Sequence, residues 1–113
     1  MPPTDVQRLR HMRDAAREAL DLLGSATDDD IAKNRMLQLA LVKLTEIIGE
    51  AAGGISADTR SRVPDIDWPR VVATRNRLIH GYYDIDAAIV GRTVREDFPP
   101  LIEAVERLLG AES

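Results

Sequence analysis

Leu37, Ala40, Leu41, Leu44, Ile47, Ile48 and Ala51 recur at intervals of one, three and four residues. That spacing stacks them on one face of an α-helix and would scatter them across both faces of a strand. Asp28, Asp29 and Asp30 lie ahead of this stripe, where negative charge suits the positive end of a helix dipole, and Gly53 and Gly54 end it. A second stripe, Val6, Leu9, Met12, Ala16, Leu20 and Leu23, runs from a capping box of Thr4 and Gln7 to a stop at Gly24. Asp67 can cap a third helix, with Trp68 and Pro69 in its first turn and an end near Ile79 or His80 before Gly81. Residues 55–66 read as a connection holding at most one helical turn after Ser56. Asp84 or Asp86 can cap a fourth helix that turns Ile89, Val90 and Val94 inward. Pro99 and Pro100 interrupt that pattern, and a last helix presents Leu101, Val105, Leu108 and Leu109 before Gly110.

No segment alternates with period two, so no sheet is expected. Short links between helices imply antiparallel neighbours. The expected fold is all-α, an up-and-down bundle of four to five helices, with residues 1–113 as one domain. Aromatic residues make up only 4%, so the core must be mostly aliphatic. Cysteine is absent, which removes disulfides, thiolate metal sites and cysteine nucleophiles and suits a reducing cytoplasm. Met1 to Arg13 is charged where a signal peptide needs an apolar run, and no stretch approaches the ~20 apolar residues of a membrane span. The expectation is a cytoplasmic protein with no membrane partner. A net charge of −4 argues against broad, non-specific nucleic-acid binding, so any RNA contact should be a local cationic pocket.

The chemistry concentrates in Arg75-Asn76-Arg77-Leu78-Ile79-His80-Gly81-Tyr82-Tyr83. On a helical wheel Trp68, Val71, Val72, Leu78 and Ile79 share a face, and Arg75 falls within it. A guanidinium there needs a partner or a polar cavity. It can bind carboxylate or phosphate through its planar fork, lay its stem on the core with its head in solvent, or pair with Glu46 or Glu50 of the second helix. His80 suits proton transfer near neutral pH, and equally suits a helix-end cap. Asn76, four residues before His80, can orient the imidazole or a phosphate oxygen, or simply face water. In one straight helix Arg75 and His80 point roughly 140° apart with an axial rise of about 7.5 Å. Convergence needs the helix to loosen before Gly81, the reach of the arginine, or a second copy of the chain.

Other groupings carry less. His11 lies among Arg8, Arg10 and Arg13, which discourages a bound cation and suits a surface position. His80 with Asp84 or Asp86 is too sparse a metal set, and no strand precedes Gly49, Gly53 and Gly54 as a phosphate loop requires.

Arg75, four residues, His80, one residue and Tyr82 together resemble the R-x4-H-x-Y motif of the HepT-like branch of the HEPN helical-bundle proteins. Ile48 to Ala52, Tyr83 to Asp86, and Thr93-Val94 with Glu96 to Leu101 extend the resemblance across about Leu37 to Leu109. The resemblance implies a HEPN-like bundle and a metal-independent endoribonuclease, the toxin of a bacterial toxin–antitoxin pair, without cofactor. His80 would be the acid–base residue in attack of a ribose 2′-OH on the adjacent phosphate. Arg75 would stabilise the phosphorane-like transition state, with Asn76 in support. Products would be a 2′,3′-cyclic phosphate and a 5′-OH, formed in a cleft at a homodimer two-fold.

An MNT-type nucleotidyltransferase antitoxin would place AMP on Tyr82, adding bulk and negative charge beside a phosphate pocket. On residue chemistry alone Tyr82 can instead pack its ring and hydrogen-bond its hydroxyl, and Tyr83 reads as packing. Gly91 stands where relatives often carry a large aromatic, which would loosen the fourth helix or open space near the interface. Two other classes of function compete. One is a non-catalytic helical subunit that binds a nucleotidyltransferase or nucleotide. The other is an interaction bundle in which Arg75 makes an interface ion pair.

Overall fold

The computed structural model describes residues 1–80 and 84–111. Four long helices form an all-α bundle: α1 (Pro3–Leu23), α3 (Arg35–Gly53), α5 (Trp68–Leu78) and α7 (Phe98–Ala111). Shorter helices α2 (Asp28–Ala32), α4 (Ala57–Ser61) and α6 (Ala87–Arg92) fill the connections, and a π-helical stretch, Thr93–Asp97, leads from α6 into α7. Helix α3 packs between α1 and α5, and α1 also packs on α7. Leu9, Met12, Ile31, Leu41, Ile48, Leu78, Val90, Val94 and Val105 are fully buried, and Trp68 and Phe98 also join this aliphatic core.

Several boundaries differ from the sequence reading for identifiable reasons. Helix α1 begins at Pro3 without a side-chain cap, so Thr4 and Gln7 form no capping box, and the Gln7 amide turns to His11 instead. The proline's fixed φ starts the helix one residue early. Asp5, next in the turn, is drawn into the interior. It accepts hydrogen bonds from the hydroxyls of Ser56 and Thr59, both at 2.6 Å, and from the Ser56 amide at 3.2 Å. Burial raises the Asp5 pKa, but these bonds and the charge of Arg8 more than offset it and leave the carboxyl below its usual range.

The capping box that does form joins Thr27 and Asp30 at the start of α2. The helix expected from Asp28 onward breaks at Lys33 and restarts with Asn34 as the cap of α3. Buried Gln38 makes the break tolerable, because its amide donates to the carbonyls of Ile31 and Ala32, at 2.9 and 3.2 Å. The expected turn after Ser56 is α4, capped by that serine. Trp68 docks α4 by donating its indole N–H to the Arg60 carbonyl at 3.2 Å, while the Arg60 guanidinium lies 5.6 Å over the ring.

Pro99 and Pro100 do not break the chain into separate helices. They occupy the first turn of α7, directly after the π-helical stretch. Their missing N–H groups would leave the carbonyls of Arg95 and Glu96 without i+4 donors, and a wider helical turn accommodates this. The inward residues of this region are Val90 and Val94, with Ile89 only partly buried.

At Gly91 there is no open space. A Cβ would lie 2.4 Å from an Asp28 carboxylate oxygen and 2.8 Å from Arg95 Nη1. Those two side chains form an ion pair at 2.8 Å across the glycine, tying α2 to the π-helical stretch. Space that an aromatic would take is used here for charge pairing.

Candidate active site

Helix α5 is capped by Asp67, whose carboxylate accepts the Arg70 N–H at 3.2 Å. Its inward face is Trp68, Val71, Thr74 and Leu78, a three-and-four spacing centred on Thr74. Val72 is 42% exposed. Arg75 therefore sits on the flank of the helix and not in the middle of its buried stripe. Thr74 escapes notice in the sequence because its hydroxyl is satisfied locally, donating to the Arg70 carbonyl at 2.6 Å, so it can be buried at little cost.

Arg75 faces α3, with its Nε 3.7 Å from Glu46 Oε2. Of the readings open from sequence, the ion pair with Glu46 is the one present. Glu46 also accepts from Lys43 at 3.1 Å, so it lies between two cations. Val72, Arg75 and Asn76 form one wall of a groove of about 480 Å³, and Glu46, Gly49, Glu50 and Gly53 form the other. Gly49 allows the two helices to approach, since a Cβ there would come within 3.1 Å of the Val72 carbonyl oxygen. Glu46 and Glu50 face Arg75 across the groove, with Lys43 beside Glu46, so the groove carries nearly balanced charge. Within one chain it is not the cationic pocket the sequence reading expected.

His80 is placed differently. Helix α5 ends at Leu78, and Ile79 is already extended, with φ −121° and ψ 129°. The helix does loosen before Gly81. Strand β1 (Ile79–His80) then pairs antiparallel with β2 (Asp84–Ile85) in the register Ile79 with Ile85 and His80 with Asp84. Two residues per strand are too few to show alternation in the sequence, which is why no sheet was expected.

The ladder carries the chain back so that Asp86 donates its N–H to the Leu78 carbonyl at 2.8 Å, and its side chain reaches His80. Asp86 Oδ2 lies 3.0 Å from His80 Nε2, while Oδ1 accepts the Ile89 N–H at 3.1 Å and caps α6. The hydrogen bond with His80, followed by that from Ile89, holds the Asp86 carboxyl below the usual range against a smaller upward push from burial. The sequence offers Asp86 as a helix cap and, with His80, as too sparse a metal set; the structure makes it the hydrogen-bond partner of the imidazole. Its distance of six residues from His80 becomes a contact only through the β ladder.

An imidazole that donates Nε2–H to a carboxylate keeps Nδ1 free to accept a proton. The pair is half open to water, His80 being 66% exposed in its side chain. No hydrogen bond or ion pair joins Arg75 to His80 among the described residues; one is held by α3, the other by the cap of α6. Asn76 lines the groove beside Arg75 without a hydrogen bond among those residues. Tyr82 and Tyr83 lie outside the described residues. His11 is exposed, as expected. Among the described residues no three His, Asp or Glu side chains converge as a metal site, and no helix is long and apolar enough to cross a membrane.

The family model described as "Ribonuclease HepT-like" matches residues 12–108. The chain belongs to the HepT-like ribonuclease family. Its relatives include "Putative RNase MJ1380" of Methanocaldococcus jannaschii, 35% identical over 83% of this chain and 95% of that protein. Another is "Probable ribonuclease HepT" of Thermococcus cleftensis, 34% identical over 80% of this chain and 86% of that protein. A third, "Putative RNase TTE0752" of Caldanaerobacter subterraneus, is 26% identical over 92% and 93% of the two chains. No solved structure matches the chain. The HepT-like match covers α3, α5, both strands and α6, the elements that position Arg75, His80 and Asp86.

Proposed function

We propose that this HepT-like chain is a metal-independent endoribonuclease toxin of a bacterial toxin–antitoxin pair, acting as a homodimer. The observation that carries the mechanism is the 3.0 Å contact between His80 and Asp86; with Nε2 as the donor, Nδ1 is the proton acceptor. Nδ1 takes the proton of a ribose 2′-OH, and the 2′ oxygen attacks the adjacent phosphorus. The P–O5′ bond breaks as the His80 imidazolium returns its proton to the 5′ oxygen, giving a 2′,3′-cyclic phosphate and a 5′-OH. Arg75 turns from Glu46 to the non-bridging oxygens and stabilises their growing charge, with Asn76 as a further donor.

A second copy supplies what one chain lacks. Met36 and Leu39 on α3 are 83% and 50% exposed, and they continue by helical spacing through Lys43 to the Glu46 side of the groove. A dimer covering this face would set two Arg75 and two His80 side chains around one cleft. An MNT-type nucleotidyltransferase antitoxin adds AMP to Tyr82 and blocks phosphate binding by charge and bulk.

Purified protein should cut RNA in EDTA, and Arg75→Ala or His80→Ala should lower the rate at least ~100-fold. Full cleavage by both variants would sink this mechanism. One observation favours a second reading: Glu46 and Glu50 outnumber Arg75 in the groove. On that reading the chain is a non-catalytic subunit that binds a nucleotidyltransferase or a nucleotide, and pure protein would bind such a partner while leaving RNA intact at any dose.

A further inference from the structure

Behind α5, on the side away from the Arg75 groove, lies a second cavity of about 380 Å³. Its floor is apolar, formed by Ile48, Val71, Phe98, Leu101 and Ala104. Phe98, Leu101 and Ala104 come from the start of α7, and the π-helical stretch supplies Thr93, Glu96 and Asp97 to the wall. Thr93, Glu96 and Asp97 share one face of this wall at three-and-four spacing, and the widened turn runs through it. Such turns often mark functional sites.

The charges at the mouth are unequal: five carboxylates face two guanidiniums. The two guanidiniums are already committed, Arg70 to Asp97 and Arg107 to Asp65, each at 3.6 Å. Asp67 is occupied as the cap of α5. Glu96 and Glu103 have no cationic partner among the described residues, and both are exposed at the rim.

From these observations we infer a second ligand site here, one that takes a small organic cation carrying an apolar body. The body would displace water from the apolar floor, and the ammonium or amidinium would lie between Glu96 and Glu103. The volume falls in the range of small-ligand pockets. An RNA phosphate is a poor fit, because the rim repels it. The site does not depend on the nuclease reading. Helix α5 is its shared wall, with Val71 and Thr74 facing the cavity and Val72 and Arg75 facing the groove.

The test uses three near-isosteric probes, benzamidine, benzamide and benzoate, titrated into isotopically labelled full-length protein and followed by NMR. Saturable shifts are expected at Val71, Phe98 and Leu101. Benzamidine should bind about fivefold tighter than benzamide, as expected for an ion pair in a partly exposed setting, and benzoate should be weakest. The double variant Glu96→Gln, Glu103→Gln alters only exposed rim charges, so it should fold normally and erase the preference for benzamidine. Ala104→Met, filling the floor, should abolish saturable binding while spectral dispersion is kept. Equal binding of benzamidine and benzamide would overturn the assigned ligand class. Unsaturable shifts scattered over acidic residues away from the cavity would overturn the site itself.

Discussion

Asp86 has two oxygens with separate tasks, and Asp86→Asn and Asp86→Ala separate them. Asparagine keeps an oxygen for the Ile89 N–H, and asparagine and aspartate cap helices about equally well. What it loses is one exposed charge contact to His80, so its stability should stay within about 0.5 kcal/mol of the parent. Alanine removes the cap of α6 and should cost about 1 kcal/mol. For a chain of this size that lowers Tm by roughly 4–8 °C.

Activity should follow the opposite order. The asparagine amide donates to His80 Nε2 and so holds the proton on Nδ1, the nitrogen proposed to accept one from the 2′-OH. That wrong tautomer should cost at least ~100-fold in single-turnover cleavage. In the alanine variant the imidazole is free to take either tautomer and should retain more activity than with asparagine. Circular dichroism melts and cleavage of a short RNA in EDTA measure both orders. Activity that ranks with stability, alanine below asparagine, would refute the proton-acceptor assignment.

Asp5→Ala should destabilise by about 1–3 kcal/mol, because it removes the acceptor of the buried Thr59 hydroxyl and of the half-buried Ser56 hydroxyl and amide. The folded Asp5 carboxyl titrates below its unfolded value, so its contribution is present above the ordinary aspartate range of about 4 and is lost as pH falls through the lower folded value. Acid melts should accordingly converge for the parent and Asp5→Ala. Gly91→Trp should expel the Asp28–Arg95 pair and cost about 1–3 kcal/mol by overpacking, read from denaturant midpoints; no loss would mean that the pair yields freely. Glu46→Gln should change stability by less than about 0.5 kcal/mol, its pair with Arg75 being half exposed. The same variant should strengthen binding of an uncleavable 2′-deoxy-substituted RNA in fluorescence anisotropy, and weaker binding would show that Arg75 does not serve the phosphate.

Much of the bundle was legible because helix formation leaves a local mark. The three-and-four spacing of Leu41, Leu44 and Ile48, the cap at Asp67 and the stop at Gly24 each report backbone geometry within a few residues. The motif Arg75, Asn76, His80 and Tyr82 was visible for a similar reason, as an ordered pattern inside one segment. Partners far along the chain were less accessible. Arg75 had two carboxylates within plausible reach on α3, and the structure pairs it with Glu46.

Sequence alone settled the helical class and the aliphatic core, and it singled out the segment from Arg75 to Tyr82, since periodicity and residue type act locally. Tertiary structure alone decided that Thr74 and not Arg75 faces the interior, and that Asp86 meets His80. It also decided that an ion pair fills the room at Gly91. Each of these depends on where a second element lands in space, and neither helical period nor residue preference encodes the approach of elements distant in the chain.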